Sequence, residues 1–185
     1  MVQNYIRFSH HERKENESPA GRTMKDRFRV YLSLTLLYAA LIFFLSSSSN
    51  VGNPASIIHF FEPFLRSLEN SGPGFLVYPF YIFALYPDKT VHMVLYAGFG
   101  FLLYLMLKNS PYQSLRNHAY IFAVIIGALY GASDEFHQSF VPGRTMSIWD
   151  FLADSIGLAL VQMIIFIKHK LYFKKKIDQA ELQWK

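Results

Sequence analysis

Four nearly unbroken apolar stretches constrain this chain more than any other feature: about Val30 to Leu45, Asp88 or Lys89 to Leu107, Ala119 to Phe140, and Ile148 to Ile167. Each approaches the roughly 20 residues that cross a hydrocarbon core as helix, and short polar stretches separate them. A helix on the surface of a soluble protein is apolar along one stripe, whereas these blocks are apolar nearly all round, the pattern of helices in a membrane. The expected fold is therefore all-α: a polytopic membrane helix bundle of four transmembrane helices. A chain of 185 residues has room for one such domain, residues 30–167, between basic tails at 1–29 and 168–185.

The first tail carries His10, His11, Arg13, Lys14, Arg22, Lys25, Arg27 and Arg29 with no apolar periodicity, and is expected to be mobile. Met24, just before the first block, is a second candidate start of translation. A cleaved signal peptide is the rival reading of that block. Its charged region would be long, no small-x-small site is clear and more spans follow, so the block reads as a retained anchor. Between the first two spans, Ile57 to Leu68 is amphipathic and expected to lie along the membrane surface. Phe75 to Pro87 is apolar but interrupted by Pro79 and shorter than the about 17 residues a span needs, which makes it an interfacial or re-entrant segment.

Lys and Arg near span ends are retained on the cytoplasmic side. Of the 18 such residues, all but Arg66, Lys89 and Arg144 fall in the two tails or the loop of Lys108 and Arg116, so both termini are expected in the cytoplasm. The same placement accounts for the net charge of +5 without nucleic acid, for which no basic-aromatic motif is present. Membrane lipids are the expected partners, with the run Lys174 to Lys176 at anionic headgroups. The chain has no cysteine, which excludes disulfides, thiolate metal sites and a cysteine nucleophile.

With that topology, the residues most costly in a membrane gather at the outer ends of spans two to four. Lys89, His92 and Tyr96 recur at i, i+3 and i+7 on one helix face. Tyr130, Asp134, His137 and Gln138 share a face of span three, with Glu135 beside them. Val141 to Arg144 is a tight turn bearing a cation, and span four opens with Asp150 and Asp154, one turn apart. Gly157 continues that stripe and allows another helix close approach. A charge at membrane depth costs about 3 kcal/mol or more on insertion scales, so these groups must pair or meet water. Lys89, Arg144, His92 and His137 can balance Asp134, Glu135, Asp150 and Asp154. Two readings stay open: a polar network that only locks helix ends together, or a pocket open to the extracytoplasmic side or the outer leaflet. Tyr130 is a packing aromatic or a pocket wall, and Ser46 or Ser47 is a candidate to line the same pocket. His10, His11, His59, His118 and His169 are expected to be solvated.

The series Lys89-x-x-His92-x-x-x-Tyr96, then Asp134-Glu135-Phe136-His137-Gln138-Ser139-Phe140-Val141-Pro142-Gly143-Arg144, then Asp150 and Asp154 before Gly157, resembles the VanZ-like family of bacterial membrane proteins over roughly Val30 to Ile167. The resemblance implies a bacterial cytoplasmic membrane, a role at the cell envelope and a link to reduced sensitivity to the glycopeptide teicoplanin; it supplies no reaction. The chain departs from the family in its long N-terminal tail and in Asp154, where an amide is the more frequent residue.

Three functions compete. A binding module would engage a lipid-linked envelope precursor or a lipoglycopeptide, Arg144 and Lys89 holding anionic groups. An enzyme acting on lipid-linked phosphate or acyl groups at the outer leaflet would use His92 or His137 as general base, Asp134 or Glu135 to orient it and Arg144 against developing negative charge, although no serine nucleophile motif stands out. A proton-coupled transporter would want acids at the bilayer midplane, where these spans are apolar. His92, His137 and Asp134, with Glu135 and Asp150, offer nitrogen and oxygen ligands of the kind zinc or manganese accepts, but their spacing matches no ligand signature, and no metal or other cofactor is expected.

Overall fold

The computed structural model of the chain describes residues 19–48 and 86–183, together with Glu62, Pro63, Arg66, Ser67 and Asn70. Among the described residues five helices follow in order: α1 Pro19–Ser46, α2 Pro87–Lys108, α3 Gln113–Asn117, α4 Ala119–Gln138 and α5 Ile148–Gln183. All but the short α3 are long and apolar enough to cross a membrane, so the expected four-span helical bundle is observed. Residues 1–18 and the expected dipping segment before Pro87 lie outside the described residues. So does most of the surface stretch, in which Arg66 pairs with Glu62 at 2.7 Å.

Two helices are longer than their apolar blocks. Residues 19–29, read as part of a mobile tail, form the first turns of α1, opened by Pro19, whose missing N–H costs nothing at a helix start. Residues 168–183, read as a tail, continue α5 without a break. Charge patterning locates the membrane boundary but does not stop a helix. From Leu158 to Gln183 there is no Gly or Pro, and Lys, Leu, Gln and Glu are good helix formers. At 1.5 Å per residue the 36 residues of α5 extend about 54 Å, well beyond a hydrocarbon core of about 30 Å.

The apolar periodicity decides what each span shows its neighbours. On α2, His92, Tyr96, Phe99, Gly100, Leu103, Tyr104 and Leu107 are buried in one stripe, and this helix packs on α5, α1 and α4. On α1, Thr35, Ile42 and Ser46 are buried at spacings of seven and four, while Leu36, Leu37, Leu41, Phe43 and Phe44 face outward. Such an outward face suits lipid and would be costly in water.

α2 and α5 touch backbone to backbone. A Cβ on Gly157 would lie 2.1 Å from the carbonyl oxygen of Met93, so only glycine permits the crossing, as its place in the sequence stripe anticipates. Deeper in the membrane, Gln162 of α5 donates to the Gly100 carbonyl of α2 at 2.9 Å. The antiparallel course brings the C-terminal ends of α1 and α4 and the N-terminal ends of α2 and α5 to one end of the bundle.

Candidate functional site

That end holds the polar residues, and local structure positions each of them. Pro87 starts α2 and Asp88 sits in its first turn, where an acid suits the positive helix end. The next residue, Lys89, forms ion pairs with Asp88, at 3.0 Å, and with Asp150 at the start of α5. The chain leaves α4 through a turn closed by Val141 N–H to Gln138 O and Arg144 N–H to Val141 O, each 3.0 Å. Gly143 supplies the positive φ of 82° that residues with a Cβ rarely adopt.

Ser147 then caps α5, its Oγ accepting from Asp150 N–H at 3.3 Å. In a capping box an acid at the third helical position reaches back to the cap's own N–H. Here Glu135 of α4 takes that place, Oε2 accepting from Ser147 N–H at 2.7 Å. Asp150 is thereby free for Lys89, and the start of α5 is tied to the end of α4.

Four groupings result. Between α1 and α4, Ser46 Oγ donates to Asp134 Oδ2 at 2.8 Å and Gln138 Nε2 donates to the same oxygen at 3.2 Å. Among α2, α4 and α5, His92 Nδ1 lies 3.0 Å from Asp154 Oδ1, with Glu135 close by: donor atoms of His92, Glu135 and Asp154 all lie within 4.8 Å of one another. Lys89 with Asp88 and Asp150 forms the third. The fourth is the rim at the end of α1. Ser47 Oγ is 3.0 Å from His137 Nε2, the His137 ring stacks on Phe43 at 4.4 Å, and Arg144 Nε and Nη2 donate to the Ser48 carbonyl at 3.3 and 3.1 Å.

Charge sorts by depth. Asp134, Glu135, Asp150 and Asp154 are buried, whereas Lys89, His137 and Arg144 are half-buried at the edge. Two expected pairings do not form. Arg144 reaches a carbonyl and His137 a hydroxyl, so neither balances a carboxylate among the described residues. His92 and His137 share a level but face different neighbours, α5 and α1. Among the described residues the cluster able to hold a metal is His92, Glu135 and Asp154, which leaves out His137 and Asp134: Asp134 and His137 point along the α1 side of α4, and Glu135, one residue round the helix from Asp134, points toward α2 and α5.

Tyr96 is fully buried, with its ring against Phe99 and Tyr130. The Tyr130 hydroxyl donates to the Ala39 carbonyl at 2.6 Å, which makes it a tie between α4 and α1. Sequence reasoning missed Ser48, which binds through its carbonyl and carries no residue-type signal, and Ser147, whose N–H meets Glu135 but whose place three residues before Asp150 is a readable helix-cap signal. Ser46 and Ser47 were visible only as a serine run closing an apolar block.

Comparison with family models finds the family described as VanZ/LLP1, matching residues 30–169. No curated protein and no solved structure matches.

Proposed function

The chain belongs to the VanZ/LLP1 family, and from that premise we propose that it is a multi-pass protein of a bacterial cytoplasmic membrane whose polar end faces outward and binds an anionic cell-envelope component. A lipid-linked precursor or a lipidated glycopeptide such as teicoplanin has the required chemistry, an acyl chain for the membrane and a phosphate or carboxylate for the rim. The observation that carries this reading is the sorting of charge by depth: Asp134, Glu135, Asp150 and Asp154 are turned inward, and the groups left at the edge are His137, Arg144 and Lys89, the last with its exposed partner Asp88. Adjacent serines hold two of them, Ser47 His137 and Ser48 Arg144. Arg144 spends Nε and Nη2 on one carbonyl and keeps Nη1 for an anion, which a guanidinium binds strongly. The excess of Lys and Arg in the tails supports the orientation.

The test is expression in a glycopeptide-sensitive host. Teicoplanin susceptibility falls with the wild-type chain and returns with Arg144→Ala at equal membrane abundance, since losing a charge-assisted contact of about 1.5–3 kcal/mol weakens binding about tenfold or more. Unchanged susceptibility across glycopeptides sinks the reading.

One observation favours the enzyme reading. Ser47 Oγ and His137 Nε2, 3.0 Å apart, are within nucleophile–base distance for acyl or phosphoryl transfer from a lipid carrier, once the hydroxyl turns to His137 from the Phe43 carbonyl, to which it donates at 2.7 Å. Labelling by a fluorophosphonate probe that Ser47→Ala and His137→Gln both abolish supports it; a chain that never labels counts against it.

A further inference from the structure

The buried part of the site carries more negative charge than its neighbours neutralise. Lys89 answers Asp150, and Asp134, on the α1 side, has Oδ2 met by the Ser46 hydroxyl and the Gln138 amide and Oδ1 without a partner among the described residues. That leaves Glu135 and Asp154, with His92 between them. Asp154 is 0% and Glu135 3% exposed. Each spends one oxygen, Glu135 Oε2 on Ser147 N–H and Asp154 Oδ1 on His92. The other oxygens, Glu135 Oε1 and Asp154 Oδ2, are buried with no partner among the described residues, and so is the Tyr96 hydroxyl one turn along from His92. Unpaired carboxylate oxygens of that kind are expensive unless a cation meets them.

We propose that His92, Glu135 and Asp154 bind one divalent transition-metal ion, zinc or manganese. The ligand set is one imidazole nitrogen and two carboxylate oxygens, which both ions accept. Three helices contribute one ligand each, and the donor atoms, within 4.8 Å of one another, are a small side-chain rotation from the about 3.4 Å between donors on a four-coordinate ion. Charge counting favours the ion over a proton. An imidazolium at His92 would offset one of the two carboxylates, whereas a divalent ion beside a neutral imidazole offsets both. Gly131 keeps the space clear: a Cβ there would sit 3.3 Å from Asp154 Oδ2 and 3.3 Å from the Tyr96 ring. Three protein ligands leave a coordination position for water or a substrate oxygen. The site is distinct from the cationic rim, and neither proposal needs the other.

The experiment uses the full chain, purified in detergent without chelator on a tag free of histidine. Elemental analysis by mass spectrometry is followed by thermal unfolding after chelation and after adding back ZnCl2 or MnCl2. The expected result is one zinc or manganese ion per chain and a melting temperature that falls on chelation and recovers with the metal. Glu135→Gln and Asp154→Asn keep the shape and the acceptors for Ser147 and His92, and should each lower bound metal at least about tenfold. His137→Gln, on the α1 side, should retain it. A wild-type chain with neither stoichiometric metal nor a metal-dependent melting temperature overturns the proposal. So does metal retained at wild-type level in the Glu135→Gln, Asp154→Asn double variant. Loss of teicoplanin protection in Arg144→Ala with metal content intact separates this site from the rim.

Discussion

Ser46 and Ser47 are neighbours of the same residue type with different surroundings. Ser46 is buried and donates to Asp134, a carboxylate with no cation beside it among the described residues; Ser47 is exposed and meets His137. Removing a hydrogen bond to a charged group costs about 1.5–3 kcal/mol, so Ser46→Ala should lower stability by that amount in denaturant titration of the detergent-solubilised chain. Ser47→Ala, at an exposed position, should stay within about 0.5 kcal/mol. Equal losses in the two would contradict the assigned partners. From the sequence, both serines were one feature, a hydroxyl run after an apolar block. Arg144 shows the same limit: its type and place after a glycine turn were legible, but its partner is a backbone carbonyl, which every residue possesses.

Helices meet here through two kinds of contact with unequal costs. At Gly157 the α2 and α5 backbones touch, and a methyl group must push them apart because the obstacle is the Met93 carbonyl rather than a mobile side chain. Gly157→Ala should destabilise by about 1–3 kcal/mol, seen as a lower melting temperature. Gln162→Leu removes the bond to Gly100, yet interhelical hydrogen bonds in membranes average about 0.6 kcal/mol. It also removes Gln162 Oε1, an acceptor without a partner among the described residues. The glycine change should therefore cost more than the glutamine change; the reverse order would mean that the helices have room to adjust. The lengths of α1 and α5 carry a related lesson. The apolar blocks marked the membrane-embedded part, while helix propensity, a separate property of the backbone, carried both helices on through charged sequence.

At the scale of the whole molecule, the start of α1 and the end of α5 lie together at the end of the bundle opposite the polar site. The orientation proposed from Lys and Arg placement is testable because the chain has no cysteine and gives no background to thiol labelling. A cysteine at the exposed Thr145 should react with an impermeant maleimide in intact cells, and one at Lys185 only after permeabilisation. The opposite pattern would place the polar end in the cytoplasm and remove the envelope reading.

By itself the sequence determined the helical class, the four spans and the end at which the costly residues accumulate. Span length answers to bilayer thickness, and residue order along antiparallel spans sets depth; both are one-dimensional properties that need no knowledge of neighbours. Only the tertiary structure decided which groups meet. Rotation of a helix by one residue, about 100°, is all that separates Asp134, which meets Ser46 of α1, from Glu135, which meets His92 and Ser147. That rotation is set by the packing of all four helices, including the close crossing at Gly157, and the depth of a residue does not reveal it.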